Sequence, residues 1–368
     1  FVRWMVLSLG LLLALVQAGD LFRSAVGHNS LHNRGGTCEE AGTFLILLAG
    51  LSLVGAANDL VLLFVGLELV SIPTYILLAL KRTDPHGQEA SLKYFFLSLV
   101  ASALFLYAAV CFYGMGGSTS LAVIGARLQS NDETIVGMVV VLLPVALGMA
   151  MAGVAFRLAA VPMHFYAPDV YEGTSPGNAA LLSTLPKIAG LVLLVRLLAL
   201  GIPAAGSLTA TDAASIGAGA TSHLTLFWQL TAVLAALTMT VGNVMALLQK
   251  NLRRLLACSS IAHAGYLLVG VAVAAAAAAA QADRTLQAHV SDTSWTLGLG
   301  GMSASLFYLA TYVLATTGIF AAITYLGHRW PEWNSGSGPR PPREEIAVID
   351  DLNGLSGTNP VAAFALAL

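Results

Sequence analysis

Repetition is what most narrows the folds open to this chain. Nine apolar runs, at 1–18, 41–58, 59–80, 90–114, 136–168, 178–200, 224–248, 259–280 and 299–326, are separated by more polar stretches, and a further apolar segment begins at Pro360. A bilayer core of about 30 Å takes about 20 helical residues to cross. Lipid offers no partner for a free backbone N–H or C=O, so each run is forced into an α-helix. Only 10% of the residues are charged and 57% are hydrophobic, where soluble domains carry about 25% charge. The expected fold is all-α, a polytopic transmembrane helix bundle.

Charges in the connections orient it. One alternate set of loops carries Arg23, Arg34, Lys81, Arg82, Lys250, Arg253, Arg254, Arg329, Arg340 and Arg343, and the other carries only Arg127 and Arg284. By the positive-inside rule the segments 19–40, 81–89, 249–258 and 327–359 are cytoplasmic. Lys250, Arg253 and Arg254 read as topology charges, and Arg196, near the opposite end of its helix, as a snorkelling side chain. A net charge of −2 with no basic stripe argues against a nucleic-acid partner. Cys38, Cys111 and Cys258 are far apart with no CxxC spacing, which suggests neither disulfides nor a metal site. The chain begins at Phe1 without a charged n-region and cleavage site. Its last apolar segment stops after Leu368, so a fragment lacking helices at both ends is expected.

The run 136–168 is too long for one straight crossing: its 33 residues would make a helix of about 50 Å. It contains Pro144 and Pro162, and an interior proline removes a hydrogen bond and clashes with the preceding turn. A bent or broken helix is expected, a device that in membranes lines cavities and ion paths. Pro186 either loosens its own helix or forms a packed kink. The alanine tract at 271–282 predicts a helix end with little specificity, and 334–343 predicts an exposed connector. Gly298, Gly300 and Gly301 lack the strand–turn–helix context of a nucleotide loop, and no cofactor-binding or metal-binding signature is present.

Two charges interrupt the most apolar runs. Glu68 lies nine residues into the run from Asp59, and Lys187 nine residues into the run from Asn178. Each is therefore roughly 13–14 Å inside the hydrocarbon. Ionisable groups at such depth are costly and mark ion or proton paths; otherwise they are structural ion pairs. Lys93 and Arg157 are further candidates for the same line. Desolvation lowers the pKa of a buried amine and raises that of a carboxyl, and an opposite charge reverses both. A lysine that gains and loses a carboxylate partner is thus able to take up and release a proton.

The segments FVGLELVSIPTYIL, EASLKYFFLS, FRLAAVPMHFYAPDVYEG and NLRRLLACSSIAHAGYLL together resemble the N subunit of the proton-pumping NADH:quinone oxidoreductase, respiratory complex I. That subunit is similar to the membrane subunits of multisubunit cation/proton antiporters. The segment Ala167–Gly173 (APDVYEG) resembles the N type more than L- and M-type relatives, which have a WLPDA-type sequence there. The apolar run and loop charges make residues 1–40 a transmembrane helix and cytoplasmic loop. The resemblance, which runs from about residue 41 to 368, implies 41–368 as an antiporter-like proton-translocating domain truncated in its last helix. It makes Glu68 the modulating glutamate, Lys93 the connecting lysine and Lys187 the lysine passing protons along the membrane axis. His263, in SSIAHAGY, matches a family motif too, although an isolated histidine is more often structural. His164 and Asp169 flank the expected break, where they either line water or cap backbone.

Arg157 stands where the family has its central lysine. Arginine is effectively never deprotonated and differs from lysine in geometry. Three readings stay open: a fixed positive charge beside titrating Lys187 and Lys93, a retuned or inactive pump, or a side chain that snorkels to the cytoplasmic face. If Arg157 lies inside the membrane it needs a partner, and Glu68 is the only acidic residue in any span interior. The function implied is a membrane subunit that couples quinone reduction elsewhere in the complex to proton translocation, with no redox chemistry in this chain. The alternatives are a cation/proton antiporter subunit without electron transfer and a structural membrane spacer. The resemblance implies NADH, FMN, iron–sulfur clusters and quinone in other subunits. It also implies membrane and peripheral partner subunits, a surrounding lipid bilayer, and a bacterial inner (plasma) membrane in preference to an organellar one.

Overall fold

The structure, a computed structural model, describes residues 33–81, 85–129, 133–202, 218–282 and 293–333, with a few positions between 352 and 363. Among these residues eleven helices follow in order. They are α1 (Asn33–Ala56), α2 (Leu60–Lys81), α3 (Pro85–Gly116), α4 (Leu121–Leu128), α5 (Glu133–Leu158) and α6 (Tyr166–Gly173), followed by α7 (Pro176–Ala199), α8 (Ala218–Leu247), α9 (Leu252–Ala282), α10 (Thr293–Trp333) and α11 (Leu355–Thr358). Eight of them are long and apolar enough to cross a membrane, one for each apolar run from residue 41 onward. The run 1–18 and the connector 334–343 lie outside the described residues.

α7 is the hub. Its apolar window is 89% buried, against 22–50% for the other seven spans, and α1, α2, α5, α6, α9 and α10 all pack on it. The other spans are apolar on both faces because one meets protein and the other lipid. Val140, Val141, Leu247 and Phe307 point outward, as expected where the solvent is hydrocarbon. α9 and α10 cross where Gly270 and Gly301 meet: a Cβ on either would come within 2.8 Å of the other's carbonyl oxygen. Small residues at such a crossing let backbones approach in lipid, which gives part of the GLGG run a packing role.

The long run is broken, as its length and Pro162 predict. α5 stops at Leu158 in a Schellman motif: Ala160 N–H donates to Ala155 O and Ala159 N–H to Phe156 O. Ala159 sits in the left-handed region at φ 55°, the position that usually favours glycine. The Tyr166 hydroxyl also donates to Phe156 O, and Val161 N–H to Thr238 Oγ1. The chain then turns at Pro162, enters α6, and starts α7 with Ser175 capping Asn178 N–H and Pro176 in the first turn, both favoured there. Pro73, Pro144 and Pro186 lie inside helices that continue past them. Of Pro73, Pro144, Pro162 and Pro186, only Pro162, which directly follows a capping turn, stands at the end of its helix.

At one end of the bundle, α1 and α4 flank the start of α2. The Asp59 carboxylate accepts from Thr119 Oγ1 and from the Val61 N–H. The Thr119 hydroxyl holds this carboxyl below its usual range; burial opposes it as the next largest effect, and the N–H groups of Val61 and Leu62 add to the lowering. The short helix α4, invisible to the apolar pattern, packs its Gly125 against the Leu200 carbonyl. Arg196 does not simply snorkel: its guanidinium donates to Gly55 O at 2.8 Å, satisfying a carbonyl in the last turn of α1, where a cation is favourable.

Candidate functional site

Three polar clusters surround α7. The first lies between α2, α3 and the end of α5. The Arg157 side chain is 5% exposed, and its Nη2 lies 3.7 Å from Glu68 Oε1. Its Nη1 donates to Leu67 O at 3.1 Å and to Ser71 Oγ at 2.7 Å. Glu68, 27% exposed, also accepts from the Ser102 hydroxyl. A buried cation is tolerable when paired and hydrogen-bonded, and both conditions hold here. The snorkelling reading of Arg157 is therefore corrected: the Schellman turn ends α5 one residue after Arg157, and the side chain folds onto the middle of α2. Leu158, the last residue of α5, fits because position 190 of α7 is a glycine, whose Cβ would meet Leu158 Cδ2 at 3.0 Å and Arg157 Cβ at 3.4 Å.

The second cluster surrounds Lys187, three residues before Gly190 and so on the same side of α7. Lys187 is 1% exposed. Its ammonium has three N–H donors and meets three acceptors: Ser260 O, Ser260 Oγ at 2.6 Å and the Tyr312 hydroxyl at 3.1 Å. The Tyr312 ring also presents its face, with its centroid 4.6 Å from Nζ. Among the described residues no carboxylate forms an ion pair with it. Tyr312 donates in turn to Ser260 Oγ at 2.9 Å, and the Tyr171 hydroxyl lies 3.2 Å from the same oxygen. His263, one turn beyond Ser260 on α9, adjoins this cluster. Its ring lies tilted against Tyr312 with centroids 5.1 Å apart, and its Nδ1 lies 2.5 Å from the Tyr308 hydroxyl.

The third cluster lies at the end where α2 finishes and α3, α7 and α9 begin. Lys93 is found here, 40% exposed, 2.7 Å from Glu89 and 2.7 Å from Asp169. Arg254 bridges Asp169 at 2.9 Å and Glu172 at 2.7 Å. Asn251 caps α9 by accepting from Arg253 N–H, and its amide donates to Glu172. Two cations in the first turn of α9 oppose the helix dipole, and the two acids of α6 offset them. Reading Arg253 and Arg254 as topology charges alone is corrected here. Arg253 is 5% exposed with Nη1 on Thr174 O, so both arginines clamp α6 and its C-terminal turn to α9. Asp169 serves this clamp. His164, also beside the break, has its Nδ1 buried without a partner.

Glu68 and Arg157 are thus brought together, Lys187 is nearby along α7 with His263 beside it, and Lys93 stands apart. Its neighbour Tyr94 points inward instead. That ring is buried against Phe156 and Tyr166, with centroids 5.3 and 5.6 Å away. Sequence reasoning missed Tyr94, Ser71, Ser102, Ser260, Tyr171 and Tyr312.

Among the described residues, eight apolar helices, one of them ended by a break and another buried at the hub, with a lysine and an arginine–glutamate pair between them, define a multi-pass helical membrane protein of the class built around intramembrane charge. The chain belongs to the family described as NADH:quinone oxidoreductase/Mrp antiporter, TM, which matches residues 57–291. It is 34% identical over 320 residues to the NADH-quinone oxidoreductase subunit N of Desulfovibrio desulfuricans, covering 85% of this chain and 53% of that protein. The subunit N of Myxococcus xanthus is 35% identical over 341 residues, covering 88% of this chain and 62% of the relative. In three dimensions the chain superposes on a chain of the respiratory complex I from Thermus thermophilus with a TM-score of 0.65 and 29% identity, over 99% of this chain and 62% of that one. The chain therefore spans little more than half the length of the relatives it matches.

Proposed function

We propose that this chain is an N-type membrane subunit of a bacterial NADH:quinone oxidoreductase. In that role it moves protons through the membrane in response to quinone reduction carried out by other subunits. The observation that carries the reading is Lys187, a fully buried amine on the central helix, surrounded by neutral acceptors and adjoining an interrupted helix. An amine without a fixed counter-ion is free to change its charge, whereas Arg157, whose guanidinium does not deprotonate, is a permanent positive charge. In this reading Arg157 stays paired with Glu68 as a fixed charge, and Lys187, on the side of α7 that packs against the end of α5, is the group that takes up and releases the proton. Lys93 works at the cytoplasmic mouth, and His263 beside Tyr308 takes the proton onward. NADH, FMN, iron–sulfur clusters and quinone belong to partner subunits, and the membrane is the bacterial inner membrane.

The names of the subunit N relatives and the APDVYEG segment support this reading over an antiporter subunit without electron transfer. The test is Glu68→Gln in the full-length protein within its complex. Proton translocation driven by NADH oxidation should fall while assembly is kept. Unchanged pumping in an intact complex contradicts the reading, and sodium/proton exchange without any dependence on NADH points to the antiporter.

A further inference from the structure

We propose that Tyr171 and Ser260 form a two-hydroxyl relay that delivers the proton to Lys187, with Ser260 as the rotating member. The inference rests on the reading of Lys187 as a titrating amine and names its proton donor. Ser260 Oγ has two lone pairs and one proton. It accepts from Lys187 Nζ at 2.6 Å and from the Tyr312 hydroxyl at 2.9 Å. Both acceptor sites are then filled, so its own proton is directed at the remaining neighbour, the Tyr171 hydroxyl at 3.2 Å. This is the arrangement for charged Lys187. When Lys187 is neutral its nitrogen carries a lone pair, and the Ser260 hydroxyl turns to donate to it. Tyr171 then donates to Ser260.

The step balances in atoms and charge. A hydronium arriving at α6 gives up a proton to Tyr171 Oη and leaves as water, the proton already on Tyr171 passes to Ser260 Oγ, and the Ser260 proton forms the new N–H bond on Lys187. One positive charge enters, and both hydroxyls end as they began. Tyr171 is the member of the cluster that stands next in sequence to the part-exposed acids Asp169 and Glu172. It is buried itself, but it belongs to α6, whose Asp169 and Glu172 sit in the part-exposed ion cluster with Lys93 and Arg254. α6 thus joins this part-exposed ion cluster to the interior, and its tyrosine hydroxyl lies 3.2 Å from the serine that holds the lysine. A purely structural cage needs only the three acceptors of Lys187, and Tyr171, whose hydroxyl also meets Ser183 and whose ring packs on Phe320, is not among them.

That difference supplies the test, made on the full-length subunit in its complex, with assembly followed by NADH oxidation with an artificial electron acceptor. Tyr171→Phe leaves all three acceptors of Lys187 in place. The relay predicts that it lowers proton pumping by roughly a hundredfold, the worth of a positioned proton-transfer group. Tyr312→Phe, which removes an acceptor but not the relay, should cost less than Tyr171→Phe. Ser260→Ala should match Tyr171→Phe, and Ser260→Cys should restore part of the rate. The proposal is overturned if Tyr171→Phe or Ser260→Ala pumps like the unaltered protein while Lys187→Met is inactive. If Tyr171→Phe fails to assemble, the Ser260→Ala and Ser260→Cys pair decides alone. If Lys187→Met itself pumps normally, the reading beneath the proposal falls instead.

Discussion

The pairing of Arg157 with Glu68 is open to a double-mutant cycle whose sign follows from burial. Arg157→Met keeps much of the side-chain volume and removes the cation. It leaves Glu68 with only the Ser102 hydroxyl, and leaves Ser71 Oγ and Leu67 O without the Nη1 donor. Breaking a fully buried ion pair costs about 3–5 kcal/mol. Glu68 is 27% exposed and the N···O separation is 3.7 Å, so about 2–3 kcal/mol is the fitting scale once solvent screening is allowed for. Glu68→Gln alone strands the buried guanidinium, which keeps its two neutral acceptors, and costs a similar amount. Arg157→Met with Glu68→Gln removes both charges together, and loss of a whole pair is far milder than loss of one partner. The assay is the thermal stability of the purified protein in detergent. The double variant should be more stable than Arg157→Met alone, with a coupling of about 1–3 kcal/mol. Strictly additive losses would refute the pairing.

Arg157→Lys restores a group whose charge burial can remove, and pumping should be preserved or raised; a loss as large as that of Arg157→Met would mean that only the guanidinium shape is used. Arg254→Ala releases both acids of α6 from α9 and should lower stability by about 1–2 kcal/mol in the same detergent melts, discounted because all three groups are about a third exposed or more; no change would mean that the clamp carries no weight. Asp59→Ala removes the N-terminal cap of α2 and should cost about 1 kcal/mol, with Asp59→Asn losing less. Because folding holds the Asp59 carboxyl below its ordinary value of 3.8, its contribution is present above that pH and lost as the pH falls through the lowered value, so the penalty of Asp59→Ala should shrink under strong acid. Cysteine labelling of intact cells from outside should reach a cysteine placed beside Arg127 and miss one at 334–343, as the loop charges require; the reverse pattern inverts the topology.

Most of the scaffold was legible in the sequence because the bilayer admits few alternatives. Apolar runs had to be helices, and the excess length of 136–168 with Pro162 had to be spent on a break. The proximity of Arg157 and Glu68 was legible as well, since a buried cation needs a partner and only one acid stood in any span interior. The surroundings of Lys187 were not. Ser260, Tyr171 and Tyr312 are neutral, lie on three different helices, and converge only because α6, α9 and α10 all pack on α7. Nothing in their local spacing marks them. Lys93 did carry a signal that was passed over: Glu89 stands four residues before it, the spacing of a surface pair on one helix face. Arg253 misled for the opposite reason, because a cation in a loop reads as exposed until the Thr174 carbonyl is seen to hold it.

The most direct test of the account is proton pumping by the reconstituted complex carrying Lys187→Met, compared with its NADH oxidation through an artificial acceptor. The substitution removes the ammonium and keeps an unbranched apolar side chain among Ser260 and Tyr312. The account predicts that the complex assembles, that oxidation with the artificial acceptor is unchanged, and that proton translocation falls by roughly a hundredfold or more. Full pumping by an assembled Lys187→Met complex would contradict it.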